Sequence, residues 1–330
     1  MNYNKKVRIL LLILNTIIMV VLTFFWMNQP RTYGDETYFV ERLSTFREYI
    51  FGKPDQVSSN DYLFIDVSES KAVLPLTPDS SRNIIITDRK KLTELFEFLH
   101  HHKNSFRFIL SDILFDKPSI YDKNLEASIQ KLGDKILGVN QLDEKEITEP
   151  VIKMPHASSS VFVEEQTIVK YPFFLNDTLK TIPAAMYEYF EKTEIKSQEP
   201  FVSIKNKGFS VGTPIFDLFI SEEELQKNTE KDSAFIKLGL GEIVGLIRIL
   251  KNNEQTSQGF FDQYFKNRII LIGDFENDRH STVYGTMPGT LILLNAFLTF
   301  QFENGIISIW LLLFLILGFG LISYTFFIDN

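Results

Sequence analysis

"FILSDILFD", residues 108–116, is an apolar run that carries Asp112 inside it and closes on Asp116. A nearly continuous apolar run of this length suits a strand covered on both faces, as in a parallel sheet packed between helices. The flanking stretches repeat the pattern. "YLFIDV" (62–67) and "KILGVN" (135–140) read as two further strands. Between them, "TDRKKLTELFEFLHHH" (87–102) places Leu92, Leu95, Phe96 and Leu99 on one helical stripe, with Thr87 or Asp88 as the N-cap. "YDKNLEASIQKLG" (121–133) reads as a second helix, stopped at Gly133. The strand–helix–strand–helix–strand order predicts an α/β fold with a mostly parallel or mixed sheet and flanking helices.

Farther along, "SSVFVEEQTIVKYPFFL" (159–175) reads as a hairpin or meander, and "TIPAAMYEYFEKT" (181–193) as a helix beginning near Pro183. Residues 194–259 give no assignable pattern beyond a short apolar stretch at 243–250. "KNRIILIGDF" (266–275) predicts another buried strand, and "MPGTLILLNAFLTF" (287–300) a helix. Upstream of the sheet, "ETYFVERLSTFREYIFG" spaces Phe39, Leu43, Phe46 and Ile50 three or four apart, as an amphipathic helix does, before the loop "KPDQVSSND".

Hydrophobic residues make up 45% of the 330, beside 23% charged, and two segments account for the excess. "VRILLLILNTIIMVVLTFFWM" (7–27) and "IISIWLLLFLILGFGLISYTFFI" (306–328) each reach the ~20 residues a helix needs to cross a bilayer. Lys5, Lys6 and Arg8 at the first segment's edge place the N-terminus in the cytoplasm. A cleaved signal peptide would have a shorter apolar region, ~7–15 residues, and a small-x-small site, whereas this segment ends in "TFFWMNQP". The expected organisation is therefore a short cytoplasmic start (1–6), a span (7–27), a linker with the amphipathic helix (28–60), an extracytoplasmic domain (61–304) and a second span (306–328). Asp329 and Asn330 follow the second span, so no cytoplasmic output domain is expected on this chain.

Several chemistries are excluded. A net charge of −8 without a dense basic block argues against nucleic acid, and the absence of cysteine removes disulfide and thiolate chemistry. No phosphate-cradling loop and no nucleophile elbow is present. His100, His101 and His102 are consecutive, ~100° apart on a helix, so they do not converge on one metal ion; a helix C-terminus is their ordinary place. No metal, cofactor or catalytic residue is assigned. What remains is a set of polar residues after the strands: Asp66, Asp112, Asp116, Asp274, Asp278 and His280. Ligands of open α/β sheets gather outside the carboxyl ends of strands, although each aspartate also has an ordinary role as cap or turn.

The stretches "YLFIDV", "SDILFDKPS", "DKNLEASIQKLGDKILGVN" and "FFDQYFKNRIILIGDF", followed by "DRHSTVYGTMPGTLILLNAFLTF" and the adjoining span, resemble the CHASE type 2 family of extracytoplasmic sensory domains. The closest piece is the strand followed by Asp-x-His-x-Thr, here Asp278, His280 and Thr282, and then "MPG". The resemblance implies a membrane-anchored sensory domain, usually joined to a cyclase, kinase or diguanylate-type output. Two departures stand out. The family's Trp-Pro-rich stretch is replaced by "ESKAVLPLTPDSSRNIIITDRKK", and its group of C-terminal spans is reduced to one.

The expectation is a multi-pass protein of the cytoplasmic (inner) membrane with its domain on the periplasmic or extracellular side. It would bind an unidentified small molecule at Asp66, Asp112, Asp116, Asp278, His280 and Thr282. It would act through a protein partner, and a homodimer is compatible with this. The alternative is a structural or assembly subunit of an envelope complex. Within the opening stretch, Asp116 followed by Lys117 and Pro118 suits a turn, which leaves Asp112 as the aspartate of interest.

Overall fold

The computed structural model describes residues 5–29, 34–51, 57–75, 83–143, 146–161, 167–226, 235–250, 254–302 and 305–328. Helices α1 (Lys5–Met27) and α2 (Gly34–Phe51) come first. Strand β1 (Tyr62–Asp66) leads into the hairpin β2 (Lys71–Pro75) and β3 (Asn83–Thr87). Then come α3 (Arg89–His101), β4 (Phe108–Asp112), α4 (Asp122–Leu132) and β5 (Ile136–Asp143). The short strands β6 (Glu146–Thr148), β7 (His156–Ser158) and β8 (Thr167–Ile168) precede α5 (Ile182–Glu191). A meander follows, of β9 (Ile195–Gln198), β10 (Phe201–Ile204) and β11 (Gly208–Val211). Next are β12 (Leu225–Gln226), β13 (Phe235–Gly239), α6 (Leu240–Leu250), α7 (Glu254–Tyr264) and β14 (Ile269–Gly273). The chain continues through the hairpin β15 (Arg279–Thr282) and β16 (Gly285–Pro288) to α8 (Gly289–Gln301) and α9 (Ile309–Phe327).

Among the described residues the main sheet has eight strands, ordered β12-β13-β1-β14-β4-β5-β6, with β7 also paired to β5. Every pairing is parallel except β5 with β6. The three middle strands are apolar on both sides because both faces are covered. Phe64, Phe108, Leu110 and Leu271 pack with α5 and α8, while Leu63, Ile65, Ile109, Ile270 and Ile272 face α3, α4, α6 and α7. Strands β1, β4, β5 and β14 and helices α3, α4, α5 and α8 are those predicted, and Asp88 is the N-cap of α3, accepting from the backbone N–H groups of Lys90 and Lys91.

Among its described residues, the segment 159–175 pairs locally only at its end, where Phe174 forms an antiparallel bridge with Lys180. Strand β8 instead runs parallel to β15, and Tyr171 and Phe173 donate backbone hydrogen bonds to Pro214 and Gly212. These partners come from some forty and from more than a hundred residues on, out of reach of any local pattern; residues 162–166 of this stretch lie outside the described residues. The unassigned region 194–259 supplies the β9–β11 meander, β13 and α6.

α1 and α9 are each long and apolar enough to cross a membrane, and they pack against each other. Between them Asn15 Nδ2 donates to Ser323 Oγ at 2.8 Å, and Thr16 Oγ1 lies 3.4 Å from the same oxygen. α2 forms as predicted, with its stripe of Phe39, Leu43, Phe46 and Ile50 exposed.

Candidate functional site

Register places a row of residues across the carboxyl edge of the sheet. Gly239 pairs with Asp66, Asp66 with Gly273, and Gly273 with Asp112. Paired residues share a face, so Asp66 and Asp112 both point to the face that carries α8, two strands or ~10 Å apart. Gly273 between them lets α8 approach: a Cβ there would collide with the Thr290 hydroxyl. Thr290, in the first turn of α8, donates to Asp112 Oδ2 at 2.7 Å. Gly289 has a matching role, because a Cβ would collide with the Asp278 carboxylate. Its backbone N–H donates to Asp278 O at 2.9 Å.

Asp112, Asp278 and His280 thereby line one cavity of about 460 Å³, in the range of small-molecule sites. His280 Nε2 and Asp278 Oδ1 are 2.9 Å apart, and this contact raises the imidazole pKa against partial burial. Asp274 lines the same cavity, with Lys71 Nζ 2.7 Å from its Oδ2. Burial alone would raise the Asp274 carboxyl, but hydrogen bonds from Lys71 and Asn277 outweigh it and hold the pKa below its ordinary value. Tyr171, whose hydroxyl donates to Ser159 O at 3.1 Å, and Ile168, Ile292 and Leu293 supply apolar wall.

Asp112 is the perturbed member. Burial first, and then the neighbouring Asp278 charge, push its pKa from 3.8 to about 7, while the Thr290 hydrogen bond and His280 pull the other way. A carboxyl poised near neutrality in a cavity can hold a cation or exchange a proton, and such groups concentrate at functional sites.

The other three expected residues lie elsewhere. Asp66 Oδ1 accepts from the backbone N–H groups of Ser68 and Phe275, tying β1 to the loop after β14, and Asp66 lines a separate cleft with Lys91, Lys237 and Glu242. Asp116 lies 2.9 Å from Lys117 Nζ, beside the buried Arg89. Arg89 bonds Asp122 and Lys117 O, and burial lowers its pKa to about 10. Thr282 donates to Gly285 O at 2.8 Å and accepts from Tyr284 N–H, closing the β15–β16 turn. Lys71, Tyr171 and Thr290 escaped the sequence reading: Lys71 comes from a hairpin with no motif, while Thr290 directly follows the "MPG" stretch. Among the described residues no His, Asp and Glu group has metal-binding geometry. His102, from the histidine run, stacks on Phe261 with ring centroids 4.1 Å apart.

The cavity is joined to the membrane helices through α8. From Gly289 to Phe300 every residue of α8 is buried. Asn295 Oδ1 accepts from the backbone N–H groups of Phe219 and Ile220, and Thr299 Oγ1 accepts from that of Asp217. Beyond α8, the N–H of Val211 donates to Gly305 O and that of Ile307 to Phe209 O, so β11 grips the entry to α9. The same region holds the end of α1: Gly212 N–H donates to Asn28 Oδ1 at 2.6 Å, and Thr213 Oγ1 to Gln29 O at 3.3 Å.

No curated protein and no solved structure gives a significant match to the chain. A family model described as the CHASE2 domain matches residues 50–325, most of the chain. CHASE2 is an extracytoplasmic sensory domain family and not a catalytic one, and two apolar terminal helices fit its membrane anchoring. The chain belongs to the CHASE2 domain family.

Proposed function

We propose that this chain is a membrane-anchored sensory protein whose ligand site is the cavity at the carboxyl ends of β4 and β14, with output carried by a separate protein partner. One observation carries the reading: the first turn of α8 forms part of the cavity wall, and the far end of α8 leads into α9. A ligand that favours one position of Thr290 and Ile292 over another has the differential affinity that a shift between two states requires. The shared grip of residues 209–213 on the ends of α1 and α9 supports transmission as a relative movement of the two helices. The domain would lie outside the cytoplasmic membrane, in keeping with Lys5, Lys6 and Arg8 at the inner edge of α1.

The test is a thermal-shift screen of metabolites on the full chain in lipid nanodiscs, wild type against Asp278→Ala. Asp278 has a half-exposed side chain, so the variant should fold. Compounds that stabilise the wild type and not the variant support the site; a screen in which every hit acts equally on both removes it.

The exposed apolar stripe of α2 favours a second reading, a subunit of an envelope complex. A stoichiometric partner that co-purifies from membranes and is released by Phe39→Ser and Phe46→Ser together would support it.

A further inference from the structure

We propose that the cavity takes a small organic cation, an ammonium on an apolar body, with the ammonium against Asp112. This rests on reading the cavity as the sensory site. Among the described lining residues, the charged groups are Lys71, Asp112, Asp274, Asp278 and His280. Three carboxylates thus meet Lys71 and, when it is protonated, His280, and each of these already has its carboxylate: Lys71 with Asp274 at 2.7 Å, His280 with Asp278 at 2.9 Å. Asp112 is the carboxyl left over, and its donor, the Thr290 hydroxyl, is neutral. A buried carboxylate without a counter-charge is costly.

An incoming ammonium supplies the missing charge together with hydrogen-bond donors. An anionic ligand would add a fourth negative group to the same lip. A neutral alcohol would leave the surplus charge unmatched. The rest of the lining suits an apolar body: Val139, Leu142, Ile168, Ile292 and Leu293 share the wall, and the volume of about 460 Å³ admits more than an inorganic ion. Five groups face Asp112 or share its cavity: Asp278, His280, Tyr171, Asp274 and Lys71. Asp278 disfavours another negative charge and His280 favours it, Lys71 and Asp274 offset each other, and Tyr171 stays neutral because burial and Asp112 both oppose its own ionisation. Asp112 ionises near neutrality, so cation affinity should rise with pH through that range.

The experiment is isothermal titration of the full chain in nanodiscs with three matched probes: phenethylamine, phenethyl alcohol and 3-phenylpropionate. Phenethylamine should bind at least about tenfold more tightly than either neighbour near pH 8. The preference should shrink near pH 5.5, where Asp112 is protonated and the amine remains charged. Asp112→Asn, checked for folding by thermal unfolding, should abolish the preference. Tighter binding of the alcohol or the acid overturns the cation assignment while leaving the cavity a ligand site. No binding by any probe overturns the cation assignment too, and the Asp278→Ala metabolite screen then decides separately whether the cavity is a site at all. A preference for the amine that survives Asp112→Asn also overturns the proposal.

Discussion

Thr290 holds Asp112 in a place where burial opposes its charge, and the consequence can be read in stability. The unfolded chain loses this proton near the ordinary carboxyl value, ~3.9, whereas the folded chain keeps it to about 7. Between those values the folded state binds a proton that the unfolded state lacks. Stability therefore falls as pH rises through that window, by on the order of 4 kcal/mol in all. Asp112→Asn keeps an acceptor for Thr290 and never carries the charge. It should stabilise the protein by ~2–4 kcal/mol near pH 8 and by almost nothing near pH 4. Denaturant unfolding at the two values measures this, and an equal gain at both would mean that desolvated charge is not the cause. The sequence made Asp66 and Asp112 look alike, since each closes a buried strand. What separates them is Gly273 and Thr290, far along the chain, one admitting α8 and the other donating to Asp112 alone.

At the level of elements, β14 and α8 fit through glycine. A methyl group at Gly273 would meet Thr290 inside a strand with every residue buried. Gly273→Ala should cost ~1–3 kcal/mol from overpacking, and displace α8 from the cavity. Gly245 is the contrasting case: it sits within α6 with open space where a Cβ would go. Gly245→Ala should raise stability by up to ~1 kcal/mol, the usual gain in a helix interior. Opposite signs in thermal unfolding distinguish close packing from a general preference for alanine. The elements legible from sequence were those with their own pattern: β1, β4, β5 and β14 as apolar runs, α3 and α4 as stripes with clear ends. β13 was not, because Lys237 breaks its apolar run to bridge Asp66 and Glu276 at the sheet's edge. The β9–β11 meander was missed because its strands are only four residues each.

Across the whole molecule, the order of the strands in the sheet differs from their order along the chain. β14 completes the middle of the sheet although it comes last among its strands, so β1 and β4 acquire a shared neighbour only when residues 269–273 arrive. The membrane helices repeat this logic, since α1 and α9 come from opposite ends of the chain and meet at Asn15, Thr16 and Ser323. The length of the two apolar runs exposed both spans, but it could not reveal that they pair, because a contact between residues 15 and 323 leaves no local trace. Interhelical hydrogen bonds in a bilayer are worth only ~0.6 kcal/mol on average, so this contact sets the register of the pair more than it holds the pair together. The chain has no cysteine, which makes the pairing directly testable. Asn15→Cys combined with Ser323→Cys should form a disulfide within one chain on mild oxidation in membranes, seen as a faster-migrating monomer on a non-reducing gel. Each single variant should not. A cross-link that appears only between chains would place α9 against another copy's α1, and the coupling drawn from the cavity through α8 would then have to run through a dimer.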